Sequence, residues 1–245
     1  MDTKKTIKNR IAMLTPSSNS VVEPSCFKIF SSLNNTTVHF NRVEVLWIDD
    51  EINSLSQFED ENMLTGFDLL SHVKPSVIGW NGTSASWLGL NRDQALTEQI
   101  LKRTGCPAVT STLSIIDALK ALDIKKIGLV TPYVGSIQNK IIRNLQLENL
   151  VCISERHFNL TDNFSYSEVS KTVIEKAAMD VISEGAEAVI ILCTNLDFAS
   201  FAASLELKTG VPILDSVVLT CWGALRKIGI DTKPLSPWAP VVSMI

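Results

Sequence analysis

Three landmarks in this chain occur twice, in the same order and at nearly constant spacing. Ile11-Ala12-Met13-Leu14-Thr15-Pro16 returns as Ile127-Gly128-Leu129-Val130-Thr131-Pro132, an offset of 116 (127 − 11). Residues 77–83, Val-Ile-Gly-Trp-Asn-Gly-Thr, return at 188–194 as Ala-Val-Ile-Ile-Leu-Cys-Thr, an offset of 111 (188 − 77). Thr104-Gly105-Cys106-Pro107 returns as Thr209-Gly210-Val211-Pro212, an offset of 105 (209 − 104). The repeat predicts two similar lobes of about 110–120 residues, near the usual domain size. The first lobe is expected to take 1–115 with the C-terminal 217–245, and the second 116–216. Matched strand ends should then meet in a cleft. There Cys193 faces Gly82, a thiol on one side and nothing on the other.

The segments between the landmarks predict an α/β fold. Strands are expected at 10–15, 37–48, 76–80, 107–110, 126–130, 150–158, 187–192 and 211–214. Helices are expected at 22–33, 63–73, 93–104, 114–122, 135–147, 167–184, 197–208 and 217–228. The acidic stretch 49–61 reads as a surface loop or lid. Most strands are apolar throughout rather than alternating, the pattern of parallel sheets covered by helices on both faces. In each pseudo-symmetric lobe a mostly parallel sheet is flanked by helices. Ligands in such sheets bind beyond the carboxyl ends of the strands.

Four strand-end loops carry the candidate chemistry: Pro16-Ser17-Ser18-Asn19, Gly82-Thr83-Ser84, Pro132-Tyr133 and Cys193-Thr194-Asn195. Turns from strand to helix leave backbone N–H groups unpaired and partly positive, which suits carboxylates without Arg or Lys. The same Ser, Thr and Asn side chains also serve as ordinary helix caps. Cys193, before an expected helix start, is placed for reactivity. A free thiol titrates near about 8.5, so at neutral pH it is mostly protonated and can give up a proton. Tyr133 can donate to a developing enolate oxygen. Asn163, in Thr161-Asp162-Asn163, precedes a helix and is either a ligand or a cap. Trp47, Trp80 and Trp87 are wall candidates for the pocket, with core packing the plainer reading. Cys26, Cys106, Cys152 and Cys221 read as core.

Composition excludes other classes. With 22 basic against 26 acidic residues the net charge is −4, which gives no reason to expect nucleic acid or an anionic membrane as partner. No apolar run approaches the ~20 residues of a membrane span, and residues 1–10 lack the apolar core of a secretory signal. Five scattered cysteines without a CxxC spacing point to free thiols in a reducing cytoplasm. The three histidines show no ligand spacing, so no metal is expected.

Taken with Thr131-Pro132-Tyr133 and Thr161-Asp162-Asn163, the four loops resemble the Asp/Glu racemase superfamily, in its branch of maleate cis-trans isomerases, arylmalonate decarboxylases and ectoine-utilisation proteins. The resemblance covers essentially the whole chain. It implies two pseudo-symmetric lobes, no cofactor, a small carboxylate substrate held between the lobes, and a dimer or larger assembly. Racemases and isomerases of the superfamily use one cysteine per lobe. Cys193 matches the second. Gly82 stands where the first would be, within the Gly-Thr-Ser of the decarboxylases. Ser17, Ser18, Asn19, Tyr133 and Asn163 match the isomerase site instead.

The absent thiol orders the functional expectations. Two-base racemisation and thiolate-driven isomerisation both need a group that Gly82 does not supply. Decarboxylation needs only stabilisation of an enediolate and one proton. Thr83, Ser84, Tyr133 and backbone N–H groups near Thr194 can serve the first need, and Cys193 the second. A cofactor-independent malonate-type decarboxylase is therefore the first expectation. An isomerase or racemase with Thr83, Ser84 or water in place of the thiol comes second, and a non-catalytic carboxylate-binding protein third.

Overall fold

The computed structural model describes residues 9–49, 56–58 and 60–245. Its first lobe runs β1 (Asn9–Pro16), α1 (Val22–Ser31), β2 (Thr36–Val43), α2 (Asp60–Ser71), β3 (Val77–Trp80), α3 (Ala85–Leu88), α4 (Leu90–Thr104), β4 (Ala108–Thr110) and α5 (Ser111–Ala121). The second follows as β5 (Lys126–Thr131), α6 (Gly135–Leu147), β6 (Val151–His157), a 3₁₀ turn at Phe164–Glu168, α7 (Lys171–Ser183), β7 (Ala188–Ile191), α8 (Ala199–Thr209) and β8 (Ile213–Asp215), after which α9 (Ser216–Lys227) returns to the first lobe. Most of the proposed loop 49–61 lies outside the described residues. Its final residues begin α2, three residues before the helix expected at 63.

Each lobe holds one four-stranded parallel sheet, ordered β2-β1-β3-β4 and β6-β5-β7-β8. The registers repeat at the offsets read from the sequence. Ile11 pairs with Val77 and Ile127 with Ala188, while Ile78 pairs with Ala108 and Val189 with Ile213. Ile11–Leu14 and Ala188–Ile191 are wholly buried, as central strands covered on both faces must be.

The Thr-Gly landmarks are duplicated helix stops. Gly105 and Gly210 each end a helix in the left-handed region at φ +69°, where glycine carries no Cβ penalty. Beside each, a threonine hydroxyl donates to the carbonyl four residues back, Thr104 to Ile100 at 2.7 Å and Thr209 to Leu205 at 2.8 Å. The same hydroxyls accept from Cys106 N and Val211 N and so turn the chain into β4 and β8. Matched caps then open the next helices. Thr110 accepts from Leu113 N, and Asp215 accepts from Val217 N and Val218 N.

α9 leaves the second sheet and packs against α5, β4, β3 and α1 of the first lobe, with Ser111 Oγ 2.7 Å from Thr220 Oγ1. Cys26 Sγ on α1 lies 3.6 Å from Cys221 Sγ on α9, and all five cysteines are free thiols. Cys26, Cys106 and Cys221 are buried and Cys152 is half-buried. Among the described residues no helix is long and apolar enough to cross a membrane.

Candidate active site

The carboxyl ends of β1, β3, β5 and β7 converge on one small cavity. It is lined by Pro16, Val45, Ile48, Phe58, Trp80, Gly82, Thr83, Ser84, Trp87, Tyr133, Asn163, Cys193 and Thr194. Both lobes contribute, as the repeat requires. The free space is about 20 Å³, little more than one water-sized volume. A backbone pair roofs it from the rim: Asn163 N donates to Leu46 O and Ile48 N to Thr161 O, each at 2.9 Å.

Cys193 is 3 % exposed and ends the second-lobe wall. The helix expected from 197 begins instead at Ala199, six residues beyond the thiol, so Cys193 does not sit at a helix N-terminus. Leu196 N turns back onto the carbonyl of Cys193, and the loop runs on to Phe198 before the helix forms. Asn195 N donates to the sulfur at 3.3 Å. Burial outweighs the opposing help of Asn195 N, Tyr133 and Leu196 N, and pushes the thiol up to about 11. Cys193 is therefore a protonated acid at neutral pH, not a standing thiolate.

Tyr133 lies on the second-lobe side, its hydroxyl 2.8 Å from Thr83 Oγ1 of the first. It is 1 % exposed. Burial, with Cys193 and Tyr166 adding to it, holds its phenol well above the ordinary tyrosine range, so it stays an O–H donor. Its ring packs against Trp87 at 5.0 Å and Tyr166 at 5.6 Å, and Trp87 continues to Phe58 at 5.9 Å. An aromatic wall thus flanks the thiol, in the edge-on and tilted geometries such rings favour.

The amide and hydroxyl loops form a seam between the lobes. Thr194 Oγ1 donates to Asn81 O at 3.0 Å and accepts from Asn19 Nδ2 at 3.1 Å. Asn19 Oδ1 accepts from Val21 N and Val22 N at the start of α1. Asn195 Oδ1 accepts from Ser20 N, and its Nδ2 donates to Asn163 O at 2.6 Å. Asn163 Nδ2 donates to Ser18 Oγ at 2.6 Å, which donates in turn to Val45 O. Ser17 Oγ accepts from Val45 N. Ser17, Ser18, Asn19 and Asn195 stand behind the cavity wall, where they fix the loops that form it. Gly82, Thr83, Ser84, Tyr133, Asn163, Cys193 and Thr194 line it.

The space beside Gly82 is not bare, as the sequence led one to expect, but filled. A Cβ added at Gly82 would fall 2.2 Å from Trp80 Cζ2, 2.3 Å from Cε2 and 2.8 Å from Nε1. The indole of Trp80 occupies the space that a side chain at 82 would need. Of the other wall candidates, Trp87 lines the cavity, whereas Trp47 is 51 % exposed on the rim. Strand β2 ends at Val43, so the expected alternation through Trp47 breaks off there. Val45 and Ile48 turn inward in its place, buried beside the cavity.

Known proteins with the same architecture decide the family. The profile described as arylmalonate decarboxylase matches residues 61–237. The chain belongs to the arylmalonate decarboxylase family. Its relatives include isomerases as well as decarboxylases. A maleate isomerase of Pseudomonas putida is 22 % identical over 94 % of this chain and 95 % of its own length. An arylmalonate decarboxylase of Bordetella bronchiseptica is 24 % identical over 64 % of this chain and 67 % of its own. Among solved structures, a mutant maleate cis-trans isomerase of Nocardia farcinica with a covalently bound succinylcysteine intermediate superposes with a TM-score of 0.88 at 17 % identity. That comparison covers 97 % of this chain and 99 % of the isomerase. It bears on the fold, and it shows cysteine chemistry in that isomerase. This chain is a family member of the isomerase–decarboxylase branch.

Three cavity residues were not singled out in the sequence as site candidates: Val45, Ile48 and Phe58. Val45 and Ile48 carried only strand character, and Phe58 lies within a polar, acidic stretch. Among the described residues, no three His, Cys, Asp or Glu side chains gather as a metal site would require.

Proposed function

We propose that this protein decarboxylates a small malonate-type acid with Cys193 as its single proton donor. The observation that carries the reading is the asymmetry of the cavity: a protonated thiol on the second lobe, and a glycine backed by an indole on the first. Loss of CO₂ breaks the bond between the α-carbon and one carboxylate. The electron pair passes into the remaining carboxylate and forms an enediolate. Tyr133, Thr83 and Ser84 are the hydroxyl donors for those oxygens, and each such donor is typically worth ~3–4 kcal/mol in the transition state. Cys193 S–H then transfers its proton to the α-carbon, and solvent restores the thiol. The aromatic wall of Phe58, Trp87 and Tyr133 favours departure of neutral CO₂ over retention of a charged carboxylate.

The raised titration of Cys193 supports this order of events. An acid that must hold its proton until the enediolate forms gains from burial, whereas a nucleophile gains from a lowered pKa. A second reading, cis-trans isomerisation, is favoured by the near full-length match to maleate isomerase and by the bonded pair Ser18 and Asn163. It lacks the first-lobe thiol.

Malonate and small 2-substituted malonates separate the readings. A decarboxylase releases CO₂ and, in D₂O, places one deuterium on the product α-carbon. Cys193→Ala is expected to reduce turnover by ~100-fold or more, the scale of a lost general acid, while circular dichroism and melting stay near the parent. Full activity in that variant sinks the proposal. Conversion of maleate to fumarate without CO₂ release replaces it with the isomerase reading. Saturable binding without turnover replaces it with a carboxylate-binding protein.

A further inference from the structure

Trp80 combines two facts that its place in the core does not explain. The indole edge of Nε1, Cε2 and Cζ2 lies on the direction a side chain at Gly82 would take, with Nε1 2.8 Å from the Cβ position. The same Nε1 is fully buried and has no hydrogen-bond acceptor among the described residues. Leaving a buried donor unpaired costs on the order of 1–3 kcal/mol, so such groups call for a specific reason. Trp80 is 0 % exposed, and Trp80 and Gly82 both line the cavity that holds Cys193. The counterpart of Trp80 in the second lobe is Ile191 at the offset of 111 (191 − 80), a residue with no polar atom in its side chain. The donor is therefore peculiar to the lobe that lacks the thiol.

We infer that Trp80 takes the place of the missing first-lobe thiol, its indole filling that volume and its Nε1–H donating to a carboxylate of the bound acid. The inference rests on the reading of this cavity as a small-carboxylate site and adds what the first lobe presents to the ligand. An indole N–H is a donor only and keeps its proton at any useful pH, so it binds without acting as a base. It thereby keeps proton transfer one-sided, from Cys193 alone. Its bulk, with Phe58, Trp87 and Tyr133 on other sides, also narrows the space left for a substituent on the acid.

The test is a titration of ¹⁵N-labelled protein with malonate and, separately, maleate, followed through the indole N–H resonances of its five tryptophans. Trp80→Phe keeps the ring and removes the donor, and the resonance it deletes identifies Trp80. The expected result is a saturable downfield shift of that resonance, with a Kd for the same acid raised roughly tenfold or more in Trp80→Phe. A Trp80 resonance that stays still while the acid binds, or a Kd within twofold of the parent, overturns the inference. So does the absence of binding by both acids. If that variant does not fold, Trp47→Phe, Trp87→Phe, Trp222→Phe and Trp238→Phe assign the Trp80 resonance by elimination, and the wild-type titration then decides the matter. Shift and weakened binding without any CO₂ release leave the Trp80 donor standing and remove the decarboxylase reading.

Discussion

Placing a methyl group at residue 82 tests whether Trp80 owns the space opposite the thiol. In Gly82→Ala the new Cβ falls 2.2 Å from Trp80 Cζ2, against ordinary contact from 3.4 Å, so the ring must retreat by about 1.2 Å (3.4 − 2.2). Trp80 is wholly buried, and close-packed interiors do not yield that distance freely. Overpacking of this kind costs about 1–3 kcal/mol, and for a chain this long each kcal/mol lowers Tm by about 2–4 °C. Gly82→Ala is thus expected to melt about 2–12 °C below the parent. Trp80→Leu frees the space and costs its own cavity, about 2–4 kcal/mol on the scale of large-to-small core changes. Adding Gly82→Ala to Trp80→Leu should then cost nothing further, a coupling of about 1–3 kcal/mol between contacting residues. Urea unfolding of the four proteins closes the cycle. A Gly82→Ala variant within about 0.5 kcal/mol of the parent, and additive with Trp80→Leu, refutes the steric reasoning.

Three further outcomes are expected. Tyr133→Phe removes the hydroxyl that aids the Cys193 thiolate, so alkylation by iodoacetamide at a fixed pH of 9 should slow, and turnover should fall by roughly 100-fold or more. Thr194→Val leaves Asn19 Nδ2 and Asn81 O unpaired inside the seam, which should lower the unfolding free energy by about 2–4 kcal/mol in urea titrations. Asp93 is buried, and burial, against lesser help from Thr110, Arg92 and Thr112, pushes its carboxyl up to about 7 from 3.8. Between those values the folded chain holds a proton that the unfolded chain has released, so the stabilisation is complete below about pH 4 and is lost as pH rises through 7. Asp93→Asn should remove that decline. Its unfolding free energy from urea titrations should gain on the parent from pH 5 to pH 8, by up to a few kcal/mol, and parallel curves would contradict the assignment.

Most of the sheet framework was legible because parallel strands covered on both faces must be continuously apolar, and Ile11–Leu14 and Ala188–Ile191 read that way without ambiguity. The Thr-Gly stops at 104–105 and 209–210 were legible for a different reason, since a left-handed cap leaves few alternatives to glycine. The short helix α3 was hidden inside Gly82-Thr83-Ser84 and the four residues after it, too brief to show a period. Helix α5 starts at Ser111 rather than 114, because its cap, Thr110, is also the last residue of β4. The cavity was legible as loops but not as side-chain allegiances. Sequence alone cannot say that Asn19 and Asn195 face the seam while Asn163 reaches the cavity. Trp80 and Gly82 carried a usable signal, since residues two apart at a strand end lean to the same side.

The seam beneath the cavity has a consequence for molecular traffic. Thr194, Asn19, Asn81, Asn195 and Ser20 stitch the two lobes at the floor, and Thr83 with Tyr133 joins them higher up. Parting the lobes like a jaw would tear several buried polar contacts at once. The rim at Leu46–Ile48 and Thr161–Asn163 is tied too, by two backbone bonds, by Asn163 to Ser18 and Asn195, and by Gln57 to the backbone of Leu46 and Trp47. The two lobes are thus joined at floor and rim alike, so widening the cavity at either level means breaking buried hydrogen bonds.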